Sequence, residues 1–383
     1  MLNRQVAEAE DFEPSAFPSA REVAGKAWVD GAFPCVAVFA RRHGVAGTAL
    51  IGSPEPVGAP LHADALFDLA SLTKPLATTL LALRAMEAGS LRLDDSLARL
   101  LPEASGGRNG ATVADLLSHR AGLPPVPDLH RFFPDSLAVD RDEACARLLA
   151  VPCDRPPGEE MVYSCTGFLL LGLALERIGG LRLALLFERE IARPLGLSPS
   201  VADSPSVAAA AGGARKPGMA TFRPSADLLA RTVPTELCPW RGRRVRGEVH
   251  DESSFCLGGD GGNAGLFADL AGTAALFSVY EDGGSLLKPE TVAAARGLWT
   301  AGLSRRRGLG LQLHDAETCD GPSWPADSYG HTGFTGTSAW RSPSLDLTAI
   351  ALTNRVYYGR AATADRIAEF RLAFHGALAA PVD

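Results

Sequence analysis

A chain of 383 residues, 46% hydrophobic and 21% charged, can bury a large core as one domain or two. Its net charge of −7 excludes the basic footprint of a nucleic-acid binder, and the two short arginine clusters, residues 241–246 and 305–307, read as solvated loops. No run reaches the roughly 18 apolar residues that span a bilayer, so no membrane partner is expected.

The N-terminal stretch carries Glu8, Glu10, Asp11 and Glu13, and lacks a basic start followed by an apolar core. No secretory signal is expected there. Residues 19–30 show helical periodicity through Ala20, Val23, Ala24, Ala27 and Trp28, and Gly31 ends the run. Residues 34–40 read as a strand, 41–44 as a turn and 45–51 as a second strand. Next comes Phe67-Asp68-Leu69-Ala70-Ser71-Leu72-Thr73-Lys74-Pro75, and no further charge appears until Arg84. A helix without charge on any face is normally buried all round, which puts Ser71 at the entrance of a core helix.

The middle of the chain reads as mostly helical. Thr112 can cap a helix over 113–119, Val139 or Asp140 one that runs to 150, and further helices fit 166–178 and 183–191. Residues 198–265 read as irregular. They include Gly259-Asp260-Gly261-Gly262-Asn263-Ala264, which follows no strand and reads as a close-packed loop rather than a dinucleotide site. Strands return at 308–313, 338–342 and 347–353, and a closing helix spans 362–378. The fold class expected is mixed α/β, of the α+β kind. The two ends (18–70 and 270–383) would build an antiparallel sheet flanked by helices, the middle (71–269) a helical lobe, and the site would lie between them.

The spacing Ser71-x-x-Lys74 sets an amine one helical turn from a hydroxyl. A helix N-terminus adds free N–H groups and a partial positive charge, which suits a serine nucleophile and its oxyanion. A second match, Ser285-Leu286-Leu287-Lys288, follows the turn Asp282-Gly283-Gly284 and precedes a surface helix, so it reads as accidental. The chain has only four lysines and otherwise uses arginine, which cannot deprotonate usefully. On this stretch alone, two readings of Lys74 stand: a catalytic amine, or a lysine snorkelling from a helix start. Two further patches stand out. One is Tyr163-Ser164-Cys165 at a helix entrance, and the other is Gly330-His331-Thr332-Gly333-Phe334-Thr335-Gly336, whose small residues would let a substrate backbone approach.

In this order and spacing the chain resembles the serine hydrolases related to class C β-lactamases, D-alanyl-D-alanine carboxypeptidases and carboxylesterases. The S-x-x-K motif is Ser71 to Lys74, Tyr163 to Cys165 stands in the Y-x-N position, and His331-Thr332-Gly333 stands in the K-T-G position. Supporting matches are Leu116-Leu117-Ser118-His119, Pro157-Gly158-Glu159, Pro194-Leu195-Gly196 and Gly265-Leu266-Phe267, and the resemblance spans about residues 18 to 378. It implies the β-lactamase/transpeptidase fold and acyl transfer through a Ser71 ester. Lys74 and Tyr163 would share the serine proton. The Ser71 and Phe334 N–H groups would form the oxyanion hole, and His331 and Thr332 would bind a substrate carboxylate or polarise Tyr163. Cys165 departs from the family's amide and His331 from its lysine, so an esterase-like activity on a small acyl substrate is favoured. A D-alanyl-D-alanine carboxypeptidase, a weak β-lactamase and a non-catalytic ligand sensor are the alternatives.

No cofactor or metal is expected. The seven cysteines include no C-x-x-C pair, and neither a zinc site nor a disulfide framework is indicated, so a cytoplasmic location is expected. Val249-His250-Asp251-Glu252 lacks a second histidine at ligand spacing and reads as a loop anchor. His119 reads as a structural hydrogen-bonder, and Cys165 as a possible second nucleophile without a basic neighbour in sequence. The motifs G-x-S-x-G and H-E-x-x-H are absent.

Overall fold

His43 and Gly44 both take left-handed backbone angles, φ 49° and 79°, the geometry of a two-residue hairpin whose twist matches its strands. They join β1 (Cys35–Arg42) to β2 (Val45–Gly52), in register from Cys35 opposite Gly52 to Arg42 opposite Val45. Arg41 and Arg42, expected in the turn, extend the strand instead. The computed structural model describes residues 17–104, 110–197 and 218–380.

Five short strands follow: β3 (Phe67–Asp68), β4 (Ala220–Phe222), β5 (Leu237–Cys238), β6 (Arg243–Arg244) and β7 (Leu266–Ala268). They form a small sheet in the order β3-β7-β4 and a separate β5-β6 pair. Runs of two or three residues are too short to show alternation, so the sequence reads 198–265, which holds β4, β5 and β6, as irregular. The part of that expectation over 198–217 lies outside the described residues.

The last four strands are β8 (Gln312–Leu313), β9 (Tyr329–Thr332), β10 (Ser338–Ser342) and β11 (Leu347–Thr353). They complete an antiparallel sheet in the order β2-β1-β11-β10-β9-β8, so the two ends of the chain share one sheet. β8 is shorter than its expected span of 308–313 because Gly310, at φ 70°, turns the backbone out of the extended region.

Helices Pro18–Val29 and Ala364–Ala379 cover one face of this sheet and bury Ala24, Phe33, Val36, Trp340, Phe370 and Phe374. The larger core lies on the other face. It runs from Ala37 and Ile350 through Leu76, Leu80 and Phe277 to Phe168 and Leu171 of helix Cys165–Gly179. That helix is capped by the Ser164 side chain, which accepts the Gly167 N–H, and closed by Gly180 at φ 66°.

Loop 258–265 packs against this helix with no space to spare. A Cβ on Gly262 would collide with the Phe168 carbonyl oxygen and lie 3.1 Å from Gly172 Cα. Gly262→Ala should therefore destabilise the fold by about 1–3 kcal/mol, read as a lower urea midpoint, and an unchanged midpoint would contradict this packing.

The arginine clusters are not simply solvated. Arg241 is buried, donates to the Val249 and His250 carbonyls, and lies 4.2 Å from the Phe255 ring centre. Arg307 is buried as well. In each cluster one arginine is buried while its neighbouring arginines are partly or fully exposed, a difference that a charge run does not encode.

Candidate active site

The segment that carries Ser71 is held by its own neighbours. The Asp68 carboxylate accepts the Ala70 N–H at 2.8 Å and the His250 N–H at 2.6 Å. Burial raises the Asp68 pKa, and these two N–H groups pull against it. Thr335 and Thr337, from the β9–β10 turn, donate to the Asp68 and Leu69 carbonyls at 2.8 and 3.0 Å. A Cβ on Gly333 would stand 2.5 Å from the Leu69 carbonyl oxygen. The smallness at Gly333 therefore serves a close approach within the chain itself.

Ser71 does not open an ordinary α-helix. It lies in a 3-10 turn, Ala70–Leu72, entered through Ala70 at φ 48°. A π-helical stretch, Lys74–Thr79, follows, and regular α-helix begins only at Leu80. Wide turns of this kind recur at functional sites because they re-aim side chains. Here every residue from Lys74 to Leu83 is buried, as the uncharged run implies.

The Lys74 ammonium donates to Ser71 Oγ at 3.0 Å, to the Asn263 carbonyl at 3.0 Å and to Cys165 Sγ at 3.5 Å. It also lies 4.9 Å from the Tyr163 ring centre. Burial lowers its pKa, but attraction to the anionic forms of Cys165 and Tyr163 leaves it above the ordinary value. Burial raises the Tyr163 pKa, against the pull of Lys74 and the phenol's hydrogen bonds with Lys74 and Ser71. The resting pair is thus an ammonium beside a phenol, and it must lose one proton before it can act as a base.

Two histidines flank Tyr163. The His119 ring lies 4.6 Å from it, with Nδ1 accepting the Ser164 N–H at 3.1 Å and the carbonyl accepting the Val162 N–H at 3.0 Å. These bonds fix the segment that carries Tyr163, so His119 has the structural role expected of it. The His331 ring lies 5.9 Å from Tyr163, and its Nδ1–H donates to the Thr332 carbonyl at 2.7 Å. Burial, then Arg307 and Lys74, hold the His331 pKa well below its ordinary value. His331 is therefore neutral, with an Nε2 lone pair that meets no partner among the described residues.

The structure thus gathers Ser71, Lys74, Tyr163 and Cys165 into one cluster, with His331 beside it. Thr332, Gly333 and Phe334 follow at the end of β9. Phe334 is half exposed and stacks on His250, ring centres 5.6 Å apart. The Ser71 and Phe334 N–H groups make no hydrogen bond to the described residues. The control match behaves differently, since Ser285 and Lys288 are both exposed.

Sequence reasoning missed Asp68, Asn263 and Arg307. The signal for Arg307 is its direct entry into Gly308-Leu309-Gly310-Leu311, an apolar frame that pulls the third arginine inward. Asn263 acts through its carbonyl, which has no residue signature at all. Ligand atoms of Glu236, Cys238 and Glu252 lie within 4.8 Å of one another. The Arg360 guanidinium already bridges the two carboxylates, and with His250 it pulls the Glu236 pKa, against burial, down to about 2. That charge balance suits a structural anchor rather than a metal, as expected for the His250 loop.

This sheet-and-helix architecture and a serine, lysine and tyrosine in mutual contact define the penicillin-recognising class of serine hydrolases. The Beta-lactamase family model matches residues 20–374, and the chain belongs to that family. An Escherichia coli K12 protein with the provisional name D-alanyl-D-alanine carboxypeptidase is 29% identical over 320 residues, covering 76% of this chain and 69% of that protein. The fold is similar to that of EstCE1, described as a hydrolase with promiscuous acyltransferase activity (TM-score 0.70, 22% identity, 93% of this chain and 98% of that one). It is also similar to that of a penicillin-binding protein homologue from Caulobacter crescentus (TM-score 0.71, 22% identity, 97% of this chain and all of that one, 100%). Among the described residues no helix is long and apolar enough to cross a membrane.

Proposed function

We propose that the protein hydrolyses small carboxylic esters through an acyl-enzyme on Ser71. The observation that carries this reading is the thiol of Cys165, 3.5 Å from the Lys74 ammonium, where the family's amide would stand. A thiol is a weak donor and acceptor, so it holds an amide substrate poorly, whereas an activated ester needs less orientation. The neutral His331 supports the same preference, because it offers no cation to a substrate carboxylate. A carboxypeptidase or β-lactamase would rely on that cation.

In the proposed path Ser71 Oγ bonds to the acyl carbon while its proton passes to the Lys74–Tyr163 pair. The carbonyl oxygen becomes an oxyanion facing the Ser71 and Phe334 N–H groups. The tetrahedral intermediate collapses, the C–O bond to the alcohol breaks, and the departing oxygen takes the stored proton. Water then attacks the ester carbon, giving its proton to the same pair, and Ser71 is released with the acid. A cytoplasmic location belongs to this proposal and is supported by the absence of any disulfide among the seven cysteines.

The test combines a fluorophosphonate with two chromogenic substrates. Mass spectrometry should place one adduct on Ser71, and p-nitrophenyl acetate should give a burst and turn over faster than nitrocefin. Faster nitrocefin turnover would favour a β-lactamase, and no adduct with any acylating agent would favour a ligand sensor.

A further inference from the structure

Arg307 is buried, yet no carboxylate contacts it among the described residues. It is 8% exposed, and its Nε and Nη1 are fully covered without a hydrogen-bond partner. Its backbone is fixed by the Thr300 hydroxyl, which accepts its N–H at 2.8 Å, and by the Trp299 N–H, which donates to its carbonyl at 2.8 Å. What the guanidinium does meet is the Tyr163 ring, 5.6 Å from carbon to ring centre. Burying an unpaired cation is costly, so its presence calls for an anion that forms during the working cycle.

We propose that Arg307 is a positioning residue for the reaction, supplying the fixed positive charge that draws the Lys74–Tyr163 pair toward its deprotonated, base-competent form. The inference rests on the ester hydrolysis proposed above. Every other group facing the pair is weaker or of the wrong sign for this task. Ser71 carries no charge, and negative charge on Cys165 would favour the ammonium and oppose the phenolate. His119 and His331 are held neutral, first by burial and then by Arg307 itself. Asp251 acts on Lys74 in the opposite sense and favours the ammonium. Beyond the pair, Asp315 stabilises the Arg307 charge and Arg305 opposes it. A fixed cation favours a neutral amine and a phenolate, so it lowers the pH at which the pair yields its first proton. Nε and Nη1 are covered and the guanidinium lies against the Tyr163 ring, which is why the phenol, rather than a substrate anion, is assigned as the group Arg307 serves.

The test is the pH profile of kcat/KM for p-nitrophenyl acetate in wild type, Arg307→Lys, Arg307→Gln and Arg307→Met. In the Gln and Met variants the acidic limb should move up by about one pH unit or more, with about a tenfold loss at neutral pH that is recovered in alkali. Arg307→Lys should keep the limb near its wild-type position. Met is included because an apolar chain of similar length fills the site without a buried polar group. A loss that is uniform in pH would assign Arg307 a purely structural role and overturn the proposal. So would an unmoved limb with KM raised only for carboxylate-bearing esters, which would make Arg307 a substrate ligand. Both outcomes leave Ser71-dependent hydrolysis standing. If wild type and Ser71→Ala hydrolyse equally, the underlying reading fails instead.

Discussion

Ser71→Ala should lower ester turnover by about 10³-fold or more and abolish the burst, with the fold intact. The hydroxyl accepts a hydrogen bond from the Lys74 ammonium at 3.0 Å, and a methyl group cannot replace it. Ser71 is half-buried in a turn held by Asp68 and Thr337, so truncating it leaves those bonds untouched. The rival nucleophile is Cys165, whose sulfur shares the same amine. Any activity left in Ser71→Ala should therefore resist iodoacetamide. A large, iodoacetamide-sensitive residue would mean that the thiol takes the acyl group, and unchanged turnover would remove Ser71 from the chemistry.

Strands β10 and β11 lie centrally in the sheet and are buried almost throughout, and their observed limits match the sequence-based ones at both ends. The Thr112 and Asp140 caps were legible for a similar reason, since a cap is a local hydrogen bond. The contact between Ser71 and Lys74 was legible because three residues of helical chain bring the side chains together whatever the rest of the molecule does. What failed needed the third dimension. The π-helical stretch after Ser71 keeps i and i+3 adjacent, so spacing alone does not distinguish it from an α-helix. The charge state of His331 depends on burial and then on Arg307 and Lys74, which lie 24 and 257 positions away along the chain. The Asn263 carbonyl reaches Lys74 only because Gly262 lets loop 258–265 press against helix Cys165–Gly179.

Lys74 separates activity from stability more sharply than any other residue in the site. Its ammonium is fully buried, and no carboxylate contacts it among the described residues. Desolvating it costs several kcal/mol, and its hydrogen bonds to Ser71, Asn263 and Cys165 return about 1–3 kcal/mol each at best. Methionine has nearly the same length, no charge, and the flexibility to fit among Phe168 and Leu76. Lys74→Met should therefore cut the acylation rate by about 10²–10⁴-fold, since the serine proton loses its acceptor. The same variant should be as stable as wild type, or more stable by on the order of 1 kcal/mol. Stopped-flow bursts with p-nitrophenyl acetate give the first quantity and urea midpoints the second. Acylation at the wild-type rate would transfer the base role to Tyr163 alone. A lower urea midpoint would mean that the ammonium holds the turn, the Asn263 loop and Cys165 together more strongly than burial opposes it.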